Sequence, residues 1–167
     1  MHKSYFTRRS FQIRLGAIFA GFFSFDAISA PLREIPAAKS LQTEISAALK
    51  KASPLLVFVS LDNCPYCKIA RENYLIPLMA ERAISVIQVN TNHATPIDDA
   101  RGERTTHAQL IRAWAIKVMP TVLFLGKNGR EVAPRLEGGS TSDFYGAYLD
   151  ERLRTAQAAI ARDSGVN

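Results

Sequence analysis

The sequence predicts an α/β fold in which helices cover a β-sheet. Two observations carry this prediction. Residues Leu55–Ser60 form a nearly continuous apolar, partly β-branched run, typical of a strand buried on both faces, and a helical pattern follows it after a short polar turn. Farther along, Asn128-Gly129 separates two strand patterns and indicates a β-hairpin. The chain of 167 residues is long enough for one domain with a proper core, and we find no internal repeat.

Periodicity and turn residues place the elements in order. We expect four helices: over 39–51, from Pro65 onward, from Thr106, and over 140–160. Pro77 should divide the second helix near 75–76. The strands should cover 55–60, 84–90 and 122–125, and a further strand should begin at Glu131. The polar stretch 91–106, which includes His93, is interpreted as a long loop. In the last helix, Phe144, Tyr148 and Leu149 should face inward.

The two cysteines of the chain lie where the predicted central strand passes into a helix. Cys64 falls near the helix cap and Cys67 in the first turn, so free amides and the positive end of the helix dipole face the Cys64 sulfur. This environment favours the thiolate, which is the attacking species, and the spacing lets Cys67 reach back to a mixed disulfide. The pair is interpreted as a dithiol redox site that needs no metal and no organic cofactor.

Three other readings of the cysteine pair have less support. A structural zinc site needs four ligands, and His2, His93 and His107 show no ligand spacing to the cysteines. Haem attachment would require histidine where Lys68 stands. A purely structural disulfide stays open, although so short a loop would constrain the unfolded chain little.

The first thirty residues have the order of a secretory signal. Lys3, Arg8, Arg9 and Arg14 precede an apolar stretch over 15–25, and small residues follow over 27–30, so we expect cleavage near Ala30. A retained membrane anchor is the alternative, and the paired arginines also resemble a twin-arginine signal. Residues 31–38 would then be a linker, 39–160 the folded domain and 161–167 a disordered tail.

The positive charge of the chain is partly due to this segment. Without residues 1–30, which hold four basic and one acidic residue, 17 basic and 14 acidic residues remain, and the net charge falls from +6 to +3. No basic run with interleaved aromatic residues indicates nucleic-acid binding. Export would place the cysteines in an oxidising compartment, where they form a disulfide unless something reduces them.

The chain resembles the thioredoxin fold, a central mixed β-sheet flanked by helices with Cys-x-x-Cys at a helix N-terminus. The resemblance covers about 39–153 and rests on Cys64-Pro65-Tyr66-Cys67, on Met119-Pro120-Thr121 about fifty residues later, and on the run Trp114–Val118 before that proline. Proline fits the first residue of a strand, and a cis bond at Met119–Pro120 is compatible with this position. Within the family, the chain is most similar to exported thioredoxins linked to sulfur oxidation.

The resemblance implies specific roles for the motif residues. Cys64 would attack a client disulfide and Cys67 would resolve the mixed disulfide, while Tyr66 shields the sulfur and Pro65 separates the pair. Pro120, the Met119 carbonyl and the Thr121 amide would line the groove for the client backbone.

Two departures from the family pattern stand out. Phe58 occupies the position where thioredoxins carry a buried Asp that helps to deprotonate the resolving thiol. The Pro65-Tyr66 dipeptide resembles glutaredoxin, but Gly138-Gly139 with Asp143 imitates the glutathione-reading turn only loosely.

These features lead to the expectation of a periplasmic, monomeric thiol–disulfide oxidoreductase that reduces exported client proteins. A membrane thiol-electron transporter would supply the electrons. The alternatives are a binding, chaperone or regulatory module with little turnover, a disulfide oxidase, and a glutaredoxin-like enzyme.

Overall fold

The computed structural model describes residues 34–91, 94–139 and 142–165, and for 142 and 143 it describes the backbone only. The expected signal segment 1–30 with its cleavage site, and His93, lie outside the described residues. Within the described ranges, no helix is long and apolar enough to cross a membrane.

The helices and strands alternate along the chain. The helices are α1 (Leu41–Leu49), α2 (Pro65–Ala70), a π-helical segment (Arg71–Leu75), α3 (Ile76–Arg82), α4 (His107–Ala113) and α5 (Ser142–Asp163). The strands are β1 (Leu55–Ser60), β2 (Val86–Asn90), β3 (Pro96–Asp98), β4 (Arg104–Thr106), β5 (Thr121–Leu125) and β6 (Glu131–Glu137).

A four-stranded mixed sheet with the order β2-β1-β5-β6 forms the centre of the domain. Strand β1 runs parallel to β2 and antiparallel to β5, and β6 is antiparallel to β5. Every residue of β1 is buried, as its apolar sequence predicts, because helices cover both faces. Leu56 and Phe58 share one core with α2, α3 and α5, while Val57 and Val59 share the other with α1 and α4.

Pro77 divides the helix after the cysteines where the sequence predicts. Proline has no N–H to donate, so a regular α-helical bond is lost at this point. The Ile76 N–H donates instead to the Arg71 carbonyl, five residues back, and the π-helical segment absorbs the mismatch before α3 continues.

The prediction of an irregular loop over 91–106 is wrong. Strands β3 and β4 form an antiparallel hairpin, and Asp99 closes its turn by accepting hydrogen bonds from the N–H groups of Arg101 at 2.8 Å and Glu103 at 2.9 Å. The Asp98 N–H donates to the Lys39 carbonyl at 3.1 Å, which fixes the hairpin beside α1. Strands of three mostly polar residues leave no readable alternation, so the sequence pattern misses them.

The inward face of α5 also differs from the prediction. Leu149 is buried, but Phe144 and Tyr148 are 62% and 49% exposed. Tyr145 is buried instead, on the face that continues through Leu153, and its ring packs 4.9 Å from that of Tyr74. Residues 145, 149, 153, 156 and 160 form a buried stripe at helical spacing. The face of α5 that packs against the sheet therefore contains Tyr145 in place of Phe144 and Tyr148.

The segment before α1 adds to the edge of the sheet. The Ala38 N–H donates to the Gln88 carbonyl at 2.9 Å, and the Gln88 N–H donates to the Pro36 carbonyl at 2.8 Å. Part of the segment expected to be a linker is therefore integrated into the fold. At the other end, α5 continues to Asp163, into the segment expected to be a tail.

The buried His107 connects this segment to β2 and α4. Its Nδ1 accepts from the Asn90 N–H at 3.2 Å, and its Nε2 lies 3.1 Å from the Ala38 carbonyl oxygen. Because a carbonyl only accepts, Nε2 donates to it, and the ring links the three segments through its two nitrogens.

Candidate active site

Cys64 forms the N-cap of α2. Its backbone is extended, Pro65 occupies the first helical turn, and the Cys64 Sγ accepts a hydrogen bond from the Cys67 N–H at 3.1 Å. The chain reaches this cap through Asn63, whose positive φ of 56° is one that asparagine tolerates well. A thiolate at Cys64 would thus receive a backbone N–H as well as the favourable end of the helix dipole.

Cys64 and Cys67 are joined by a disulfide, with Cα atoms 5.2 Å apart. The two sulfur-bearing residues differ in access, because Cys64 is half-buried and Cys67 is fully buried against the core of α3 and α5. An external sulfur can therefore reach Cys64, whereas Cys67 is sheltered.

The segment Val118–Thr121 forms the second part of the site. The Met119–Pro120 peptide bond is cis. The Gly138 N–H donates to the Pro120 carbonyl at 2.7 Å, which ties this turn to the end of β6. Thr121 differs from the expectation that it lines the groove, because it is fully buried and its hydroxyl donates to the Val118 carbonyl at 2.7 Å. It supports the turn from beneath, and Met119 is half-buried beside it.

Gly139 brings the two parts together. A Cβ atom at this position would lie 3.1 Å from Pro120 Cγ and 3.5 Å from Tyr66 Cβ. The dipeptide between the cysteines and the proline turn therefore meet at one small backbone position. In the sequence, Gly138-Gly139 is notable only as a loose imitation of a glutathione-reading turn, and nothing there indicates that Gly139 adjoins both motifs.

The surface around Cys64 combines an open cleft with exposed apolar side chains. The cleft has a volume of about 480 Å³, and residues of the β1–α2 turn and of the helix after it line it: Leu61, Asp62, Asn63, Cys64, Pro65, Lys68, Arg71 and Glu72. Leu61, Tyr66 and Val118 are 38%, 51% and 45% exposed. Exposed apolar groups beside a reactive group suit transient contact with an unfolded or extended chain.

Phe58 and Arg71 occupy the region beneath the cysteine helix. Phe58 is fully buried, and the Arg71 guanidinium carbon lies 5.6 Å from its ring centroid. Arg71 Nε also donates to Gln88 Oε1 at 3.2 Å. Sequence reasoning missed Arg71 as part of the site, although its position four residues after Cys67 places both on one helix face.

Comparison with known proteins gives one family match. The family described as a thioredoxin-like domain matches residues 41–152. Solved structures with similarity include the oxidised form of mitochondrial thioredoxin 3 from Saccharomyces cerevisiae, at 15% identity and a TM-score of 0.49, covering 72% of this chain and 93% of that one. Trxlp from Edwardsiella tarda EIB202 shows 26% identity and a TM-score of 0.47, covering 70% of this chain and 97% of its own. No curated protein matches the sequence significantly.

Proposed function

We propose that this chain, which belongs to the thioredoxin-like family and has the thioredoxin fold, is a periplasmic thiol–disulfide oxidoreductase. Its proposed role is to reduce disulfides of exported client proteins. One observation carries the proposal: an accessible Cys64 at a helix cap is joined by a disulfide to a sheltered Cys67, beside the Pro120 turn. The family match and the cysteine pair support thiol–disulfide exchange, and the direction and location are our inference.

The exchange proceeds in two balanced steps. In the reduced protein, the Cys64 thiolate attacks one client sulfur; a Cys64–client bond forms, the client disulfide breaks, and the other client sulfur leaves as a thiolate that takes up a proton. Cys67 then loses its proton and attacks the Cys64 sulfur. The Cys64–Cys67 disulfide forms, and the second client sulfur is released. Two electrons have passed to the client, and an external dithiol must return them.

The site residues other than the cysteines hold the client. Tyr66 offers exposed apolar contact beside Gly139, and Val118 does so beside Gly138. The family resemblance implies that the Met119 carbonyl accepts a hydrogen bond from an extended client chain. Pro120 itself is buried, contrary to the expectation that it lines the groove, and Gly139 packs against it. Because Gly139 carries no side chain, a client backbone can approach the turn closely at that position. This arrangement favours extended segments that contain cysteine.

Insulin reduction tests the activity. Reduced wild-type protein, with a dithiol donor in excess, should accelerate the reduction of insulin disulfides well beyond the rate with Cys64→Ala. A protein that binds cysteine-containing peptides but reduces insulin no faster than Cys64→Ala would support the binding-module alternative and contradict our proposal.

Direction and location need separate experiments. The basic, apolar and small-residue order of 1–30 supports export, and mass spectrometry of fractionated cells should find the protein cleaved near Ala30 in the periplasm. A full-length protein in membranes would support an anchor.

Rapid acid quenching and alkylation should find Cys64 and Cys67 mainly as thiols, and this state should depend on a membrane thiol-electron transporter. A pair that is fully disulfide, with or without that transporter, would favour the oxidase.

A further inference from the structure

We propose that Arg71 is a positioning residue whose guanidinium charge stabilises the Cys64 thiolate of the reduced protein. This inference rests on the proposed thiol–disulfide exchange and names a residue that tunes it. Arg71 does not touch the reacting sulfur in the exchange; it acts through the electric field in the cleft.

The position of Arg71 links it to both cysteines. It follows Cys67 by four residues on a continuous helical segment, and its backbone N–H donates to the Cys67 carbonyl. Residues four apart lie one above the other on a helix face. Arg71 also lines the same open cleft as Cys64. Cys64, which carries the negative charge after reduction, lies seven residues before Arg71, roughly 10 Å along the helical segment. The charge of Arg71 therefore borders the same cleft as that sulfur.

Neutral groups hold the guanidinium in place. The Phe58 ring lies under it, with 5.6 Å between the guanidinium carbon and the ring centroid, and Gln88 Oε1 accepts from Nε at 3.2 Å. Phe58 and Gln88 are register partners on β1 and β2, so two adjacent strands fix the side chain. Within the described residues, no carboxylate forms an ion pair with Arg71.

Other charged groups face the same cleft, and their burial decides which field dominates. Asp62, Lys68 and Glu72 are all exposed, as is Glu34 in the adjoining cleft beside Arg71. Asp62 also accepts a hydrogen bond from the Asn90 side chain. Arg71 is half-buried against an apolar ring, so solvent and salt screen its charge less than theirs. Of these charges, that of Arg71 is therefore the one that solvent weakens least.

The sign of the redox effect follows. The reduced form carries the thiolate charge, whereas the disulfide carries none. A cation near Cys64 stabilises the reduced form relative to the disulfide, which makes the pair more oxidising. Removing the cation should make it more reducing and shift thiolate formation to higher pH.

Three variants separate charge from packing. Arg71→Met keeps the length and the apolar stem of the side chain but removes the charge, and Arg71→Lys keeps the charge. Arg82→Met is the control, because it removes an exposed arginine that pairs with Asp150 at the far end of the same helical region. For each, the thiolate is titrated by its ultraviolet absorbance, and the pair is equilibrated with glutathione buffers.

We expect Arg71→Met to lower the thiolate-to-thiol ratio at a given pH by about three- to tenfold, the effect of one charge roughly 10 Å away with a dielectric between those of water and the protein surface. The equilibrium constant of the cysteine pair with glutathione should change by a similar factor, so that the pair becomes more reducing. A tenfold change corresponds to about 30 mV in the reduction potential. Arg71→Lys should retain most of the wild-type values, and Arg82→Met all of them. Equal shifts in Arg71→Met and Arg71→Lys, or no shift in either, would overturn the inference.

Neither measurement needs a client, so its result is independent of the proposed function. A wild-type protein that reduces no insulin while the charge effect persists would refute only the proposed function. If Arg71→Met does not fold, Arg71→Gln provides the same test. Its thiolate-to-thiol ratio at a given pH should lie about three- to tenfold below that of the wild type, and an unchanged ratio would contradict the role of Arg71.

Discussion

Replacing His107 with leucine should lower the free energy of unfolding by about 2–5 kcal/mol. The imidazole is 2% exposed and uses both ring nitrogens, one with the Asn90 N–H and one with the Ala38 carbonyl. Leucine fills most of the space but leaves this N–H and this carbonyl without their partner. A buried polar group left unpaired costs about 1–3 kcal/mol, and two such groups give the stated range when relaxation is partial.

Urea unfolding of the oxidised protein measures this change. The midpoint should fall with an unchanged dependence on denaturant, because the native surface stays the same. His107→Gln, whose amide can both accept and donate, should lie between leucine and wild type. His107 contacts the backbone of Asn90, whereas the Asn90 side chain donates to Asp62 in the turn before Cys64. The leucine variant should therefore change the reduction potential of the Cys64–Cys67 pair little. A leucine variant as stable as wild type would show that the two hydrogen bonds contribute nothing net.

Three further predictions concern the cysteines, Tyr145 and Asp99. Cys67→Ala should accumulate mixed disulfides on Cys64 and Cys64→Ala should accumulate none, and preferential alkylation of Cys67 in the reduced protein at mildly acidic pH would reverse the assigned roles. Tyr145→Phe should leave the free energy of unfolding unchanged or raise it by about 1 kcal/mol, since the buried hydroxyl has no hydrogen-bond partner in the described structure; a clear loss in thermal unfolding would indicate a partner such as water. Burial of the Asp99 carboxylate opposes its ionisation, but the N–H groups of Glu103 and Arg101 and the Arg101 charge outweigh it and lower the pKa below its ordinary 3.8. The stability that Asp99 contributes is therefore complete above about pH 4 and lost as the pH falls through the lowered pKa, so the stability difference between wild type and Asp99→Asn should shrink on acidification; a difference independent of pH would contradict this.

Local patterns were sufficient where one segment determines its own structure. The bounds of β1 agree with the prediction because a strand buried on both faces needs apolar residues throughout. The start of α4 is equally local, since the Thr106 hydroxyl accepts from the Gln109 N–H at 3.2 Å as an N-cap should. The same holds for the helix that begins after Cys64 and for its division near Pro77. Each of these features depends on residues within a few positions of one another.

The sequence alone did not show which segments meet. The β3–β4 hairpin is stabilised by contacts with α1 rather than by its own three-residue strands, and the face of α5 that is buried depends on how the helix docks against the sheet. The approach of Gly139 and Pro120 to Tyr66 joins residues more than fifty positions apart, which no local sequence pattern can show. Arg71 becomes part of the site because β1 and β2 place Phe58 and Gln88 beneath it. The sequence by itself determined the reactive pair and the helix that presents it, since both lie in one short segment; the surroundings that set the properties of the pair were decided by tertiary packing, because they come from strands and turns distant in the chain.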